Sequence, residues 1–454
     1  MSIISNALSG SIAAQAALGA ASQNIANLQT AGYTRQGVLL ASLGAGAGVR
    51  SSGNGVEVSS LLRFADAYKS QQMWRAASDQ GFRSQTQPYI TQLERIMGDD
   101  TSSISNGIDG FFKALNAAAV DPTSTPLRQQ IITAADAMSQ NFNSISNVMN
   151  NQLLSVHQQR EAIMPQANTA LANIAKLNER ISTSTASGTN VSALMDARDQ
   201  LIDGLASQMA IEVTDQPDGS RDISLKSGQP LVLGSMSSTL SSKMSATGDQ
   251  TLDLKFGNSI FQLDNVAVGG QLGGLGEFEE NTLKPMQQSV RDLASTLASK
   301  VNTQLAAGKT MSGSVGGPLL VYANGSLSIS KNFTAADLAL ASPTGAAGDS
   351  QNLQSLIDIK NQSASVSWVG TVLISDADTQ LVGKLGIYSQ QNQSLLKTAD
   401  TVRTQAINDW KSTSAVNKDE EAMNLVEFQN MYQANMKVIS VANTLFDATL
   451  QMMG

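Results

Sequence analysis

Asn417 to Gly454 reads NKDEEAMNLVEFQNMYQANMKVISVANTLFDATLQMMG. Its apolar residues fall in two adjacent rows. Met431, Ala434, Val438, Val441, Leu445, Ala448 and Met452 form one, and Leu425, Phe428, Tyr432, Ile439, Ala442 and Phe446 form the other. Alternating steps of three and four keep each row on one side of a helix, so the spacing predicts a long helix with a broad apolar face. Asn417 is placed to cap the first turn, and Glu420 to reach back to it. Asp419 and Glu421 put negative charge where the helix dipole favours it. Such a face needs cover from another part of the chain or from another molecule.

The N-terminal segment, Ser2 to about Leu28, has a matching pattern. Ile4, Leu8 and Ile12 recur at steps of four, and Leu18, Ala21, Ile25 and Leu28 continue the stripe. Ala13, Ala14, Ala16, Ala17 and Ala20 between them favour helix and permit close helix approach. The expectation is that the two end helices pair as a coiled coil and bury their remaining faces against other copies or other proteins. The plainer alternative is that they only close one globular core.

Between the ends, helical and strand patterns alternate. Gly32 breaks the first helix, and Val38–Leu40 and Val56–Val58 read as strands around the glycine-rich segment Gly44–Gly55. A polar helical pattern runs from about Phe64 to Met97, with Pro88 as an expected break. Ile131, Ala135, Met138, Phe142, Ile145, Met149 and Val156 mark a long helix. The stripe resumes after Pro165 through Ile174 to Ile181, as one helix or as two joined there. From Ala210 the period becomes that of strands, and GGQLGGLGEF (Gly269–Phe278) is expected to close this β-rich insert. Helices return at Leu283–Leu297 and Asp376–Trp410, separated by a hairpin around Asn324-Gly325. The fold class expected is mainly α: a long helical bundle, its terminal helices paired as a coiled coil, with a small β-rich inserted outer domain. The expected division is a terminal domain of residues 1–40 and 411–454, a helical core of 41–209 and 276–410, and the insert 210–275.

Composition narrows the chemistry. The chain has 454 residues, a net charge of −8, 15% charged and 4% aromatic residues, and no cysteine. The negative charge argues against nucleic acid as a partner. Without cysteine there is no disulfide, thiol nucleophile or cysteine-held zinc or iron–sulfur site. His157 is the only histidine; an exposed place on the long helix is expected for it, and a Ser-His-Asp triad or a zinc site built on it is not. Gly44–Gly55 matches neither GxxxxGK[ST] nor GxGxxG. The first basic residue is Arg35, so the N-terminus lacks the order of a secretory signal, and no membrane span is expected. Neither a catalytic residue, nor a metal, nor a cofactor is read from the sequence.

The motifs now in view carry a resemblance. Asn24-Ile25-Ala26-Asn27 followed by Thr30-Ala31-Gly32-Tyr33-Thr34-Arg35-Gln36 resembles the N-terminal motif of bacterial flagellar axial proteins. With GNGVEV (Gly53–Val58), LGGLGEF (Leu272–Phe278) and the C-terminal stretch, the set resembles the FlgK family of hook-associated proteins, which join hook to filament. The resemblance implies a structural, non-enzymatic protein of the flagellum, exported through the flagellar type III apparatus without a cleaved signal peptide. It implies as partners further copies of the chain, the hook protein, the second hook–filament junction protein, and a cytoplasmic export chaperone on the C-terminal helix. The assembly interface expected from the stripes and the motif comprises Leu18, Ile25, Leu28, Tyr33, Leu425, Phe428, Met431, Tyr432, Val438, Val441, Leu445 and Phe446. Two other readings are another axial protein, hook- or flagellin-like, and a secreted wall hydrolase. Flagellins lack the N-terminal motif, hook subunits usually lack LGGLGEF, and a hydrolase needs an active site that the sequence does not offer.

Overall fold

The computed structural model describes residues 2–44, 53–99, 103–246, 248–346 and 348–453. Most of the glycine-rich segment after Gly44 therefore lies outside the described residues. In chain order the elements begin with helix α1 (Ser2–Ala26), the antiparallel pair β1 (Gln36–Ser42) and β2 (Val56–Arg63), then α2 (Ala67–Met97), α3 (Ile104–Ala118), α4 (Thr125–Ala186) and α5 (Ser192–Gln208). Seven short strands follow: β3 (Ile211–Asp215), β4 (Arg221–Leu225), β5 (Pro230–Leu233), β6 (Met236–Ser237), β7 (Thr239–Met244), β8 (Gln250–Phe256) and β9 (Ser259–Leu263). They form two antiparallel sheets in the orders β3-β4-β5-β6 and β7-β8-β9. Next come α6 (Gly270–Phe278), a π-helical turn (Glu279–Leu283), α7 (Lys284–Ala306), the hairpin β10 (Leu320–Ala323) and β11 (Ser326–Ile329), and α8 (Gln351–Asp358). The hairpin β12 (Ser363–Val366) and β13 (Gly370–Leu373) precedes α9 (Ala377–Ser414) and α10 (Lys418–Met453). The fold is mainly α, with small sheets set between long helices.

Helix α4 is unbroken over 62 residues. Pro165 removes one N–H from its ladder but does not end it, because flanking turns bury Ile163, Met164, Ala167, Leu171 and Ile174 in the core. Pro88 likewise sits inside a continuous α2. The first helix ends at Ala26, short of Leu28. It meets, by length and composition, the test for crossing a membrane, contrary to the expectation that no segment would. Its alanine content accounts for that, and in the fold it packs on α10.

GGQLGGLGEF forms a helix rather than the last piece of the β insert. Gly269 and Gly270 turn the chain with φ of 67° and 55°, a conformation that a side chain disfavours. Beyond them the glycines allow backbone contact with α2. A Cβ on Gly274 would lie 2.3 Å from the carbonyl oxygen of Phe82, and Thr86 Oγ1 donates to the Gly274 carbonyl at 3.0 Å. Strand periodicity cannot register a helix whose partner approaches through missing side chains.

The π turn carries Glu279 into the core. Its carboxylate is fully buried and meets Arg160 at 2.8 Å, Lys284 at 2.9 Å and His157 Nε2 at 3.4 Å. Burial pushes its pKa up, but the His157 hydrogen bond, the Arg160 charge and the Lys284 hydrogen bond outweigh it and hold the carboxyl at about 2. His157 is therefore not exposed: only 6% of its surface is open. One histidine in a polar helix gave no sign of a carboxylate that arrives from 122 residues away.

Candidate assembly interface

Helices α1 and α10 lie antiparallel. Ser11 Oγ meets Met436 Sδ at 3.7 Å. A Cβ on Gly10 would stand 2.7 Å from Asn435 Oδ1, so the axes come close here. The face that α1 buries is its small one, Ala7, Ser11, Ala14, Ala17 and Ala21. Leu8 and Ile12, expected in its contact stripe, are 52% and 56% exposed instead. Methyl groups allow a closer approach than leucines, and the helix turns that way.

The two rows of α10 separate accordingly. Leu425, Phe428, Tyr432, Ile439 and Ala442 are half-buried. Met431, Val438, Val441, Leu445 and Phe446 are exposed, from 39% at Met431 to 61% at Phe446. The antiparallel register brings Ser2 to the level of Thr444 and Leu445. Phe446 to Met453 thus run beyond the described part of α1, leaving Leu450, Met452 and Met453 open. On the N-terminal side Leu18 is half-buried, and Ile25 and Leu28 are each 37% exposed.

The pair is fastened to the rest of the chain by the segment between Asn24 and Gln36. Asn24 is buried. Its Oδ1 accepts the Gln36 N–H and the Tyr33 hydroxyl, each at 2.9 Å, and its Nδ2 donates to the Gln36 carbonyl at 2.8 Å. The Thr34 N–H donates to Asp196 Oδ2 on α5 at 3.1 Å. Arg63 on β2 meets Asp196 at 2.7 Å and Asp199 at 2.8 Å. The Arg35 N–H donates to the Ser414 carbonyl at the end of α9, and its guanidinium lies 4.4 Å from the centre of the Phe64 ring. Elements α1, β1, β2, α5 and α9 therefore meet on this segment, and α10 joins them through Glu420. Burial, with Asp196 and Glu421 nearby, lifts the Tyr33 hydroxyl to about 12, so it stays a donor.

Asn417 caps α10 as expected, its Oδ1 accepting the Asp419 N–H at 3.0 Å. Glu420 does not reach back. It pairs with Arg35 at 2.5 Å, because the end of the hairpin stands beside that turn. Sequence reading found Tyr33 as part of a motif but missed Asn24, Arg63 and Asp196 as its partners. Only the local Asn24–Gln36 spacing was available as a signal; Arg63 and Asp196 lie 133 positions apart.

Known proteins resemble this chain over nearly all of its length. A model of the flagellar hook-associated protein FlgK helical domain matches residues 90–320, and one of the flagellar basal body rod FlgEFG protein C-terminal region matches 412–452. The chain is 27% identical to flagellar hook-associated protein 1 of Escherichia coli K12, over 99% of each. It is 28% identical to that of Salmonella typhimurium LT2, again over 99% of each. Its identity to the Bacillus subtilis protein is 24%, over 97% of this chain and 96% of the relative. The first two alignments span 547 and 561 positions, so those relatives carry segments that this chain lacks. The flagellar hook junction protein FlgK of Burkholderia pseudomallei superposes with a TM-score of 0.66 at 17% identity, covering 75% of this chain and all of that one.

Proposed function

This chain belongs to the FlgK family of flagellar hook-associated proteins, and on that premise we propose that it joins hook to filament by assembling through its terminal helices. The family is one of structural flagellar proteins rather than enzymes. The observation that carries the proposal is the division of α10. One apolar row rests on the alanines of α1, while Met431, Val438, Val441 and Leu445 stand open beside it. The open row, with Phe446 and the overhang after it, is the surface we assign to neighbouring copies, with Ile25 and Leu28 at its other end. Half-buried Leu18, Leu425, Phe428 and Tyr432 hold the pair together, and Tyr33 sets its root.

The remaining parts follow. The hook protein and the second junction protein occupy the two ends of the assembly, and an export chaperone covers the open row of α10 before the chain leaves the cell through the flagellar export route. The terminal pair is one domain, α2–α5 with α6–α9 is the helical core, and Ile211–Leu263 is the outer insert. Its boundary falls before α6, since α6 packs on α2.

The test is Val441→Asp. Val441 is 52% exposed, so the free chain should keep its melting temperature within a degree or two. In the assembly the carboxylate meets a dry contact and costs several kcal/mol per copy. A strain carrying only this variant should make hooks and shed its filament subunits. Normal filaments would remove the open row from the interface.

A further inference from the structure

Five asparagines on helices share one geometry. Asn168 on α4 accepts the Leu240 N–H at 2.7 Å and donates to the Leu240 carbonyl at 2.8 Å. Asn143 on α4 does the same to Leu327, at 2.9 and 2.7 Å. Asn302 on α7 holds Leu320 at 3.0 and 2.6 Å, and Asn178 on α4 holds Arg221 at 3.1 and 2.8 Å. Asn24 on α1, described above, holds Gln36. In each case one primary amide satisfies both backbone groups of one strand residue, as the next strand of a sheet would.

The strand residues held are those with an unfilled side. Leu240 lies on β7, an edge of its sheet. Leu320 and Leu327 lie on opposite strands of a two-stranded hairpin, so Asn302 and Asn143 cover its two edges. Arg221 lies on β4 past the point where β5 has ceased to pair with it. Gln36 opens β1. An uncovered edge is a template for strand addition by another chain. A chain that assembles at high local concentration through helices has most to lose from such pairing.

We propose that these asparagines are edge clasps: they stand in for a neighbouring strand and so bar a second copy of the chain from adding one, confining self-association to the terminal helices. The last clause rests on the assembly reading above. The clasps are positioning residues, acting through the strands they hold.

The experiment uses the full chain carrying Asn168→Leu or Asn143→Leu, each with and without Val441→Asp, which silences the terminal surface. Peptide-level hydrogen exchange should run roughly ten-fold faster at β7 in the first variant and at β11 in the second, with the helical core unchanged. In the Val441→Asp background, sedimentation should show new concentration-dependent oligomers for the leucine variants only. Unaltered exchange, or strictly monomeric leucine variants at every concentration, would overturn the proposal. Should Asn168→Leu fail to fold, Asn168→Asp supplies the same test. It keeps the acceptor for the Leu240 N–H, loses the donor, and should show the faster exchange and the oligomers. If the Val441→Asp parent itself still associates, the terminal-helix reading fails, while the exchange measurement still judges the clasps.

Discussion

Replacing Glu279 with Gln should destabilise the helical core and remove its main acid-labile contact. The carboxylate and the Arg160 guanidinium are both fully buried, 2.8 Å apart. Without the carboxylate, Arg160 keeps its charge, with Gln250 Oε1 at 2.9 Å as its neutral partner. Stranding a buried charge in this way costs about 3–5 kcal/mol. At about 2.1 cal/mol/K of unfolding entropy per residue, a cooperative core of about 300 residues then melts roughly 5–8 °C lower. The pH dependence gives a second handle. The folded carboxyl is held at about 2, below the ordinary 4.5, so between those values the folded state binds fewer protons than the unfolded one. Glu279 therefore adds stability above pH 4.5, about 3 kcal/mol, which is lost as pH falls toward 2. Urea denaturation at a series of pH values should show wild type losing stability over that window and Glu279→Gln starting lower and falling less. A paired Arg160→Met, Glu279→Leu variant should recover much of the loss, since neither charge is then left alone. If Glu279→Gln melts within a degree of wild type with the same acid limb, the buried cluster is not holding the core, and the reasoning fails.

Three further outcomes are expected. Gly274→Ala should cost about 1–3 kcal/mol in chemical denaturation, because its methyl group would fall on the Phe82 carbonyl. Asp378 is the opposite case to Glu279: burial raises its pKa despite the Ser105 N–H bond, so its contribution is present in acid and lost as pH rises. Asp378→Asn should thus stabilise the protein at pH 7 and give no gain below the ordinary carboxylate range, a comparison of two urea titrations. Backbone amides after Phe446 should exchange far faster in the monomer than those of Tyr432 or Asn435, which lie against α1; equal protection would show that the overhang has a partner within the chain.

What the sequence disclosed was whatever depends on local repetition. The rows of α10, the stripe of α4 and the alternation of β3 and β4 all recur within a turn or two, so burial can be read from spacing. Two rows on α10 were visible as rows, but not which of them would dock; that depends on α1 choosing its alanine face over Leu8 and Ile12. The sequence puts His157 at an exposed position because nothing near it in the chain opposes it, and it gives no sign of Glu279. The LGGLGEF segment was legible as a motif and misread as structure, since glycines report a close contact without saying with what. The Asn24 knot was similar: the motif was recognisable, while Asp196 and Arg63 become its neighbours only after folding.

The unbroken course of α4 has a mechanical consequence. At 1.5 Å per residue, 62 residues make a strut about 93 Å long. Asn143 fastens a hairpin toward one end of it, and Asn168 and Asn178 fasten both sheets of the insert toward the other. A pull or twist on those two sheets therefore reaches the hairpin through one rod, with no loop in between to absorb it. The compliant point of that rod is Pro165, where one backbone bond is missing, and bending under load should concentrate there.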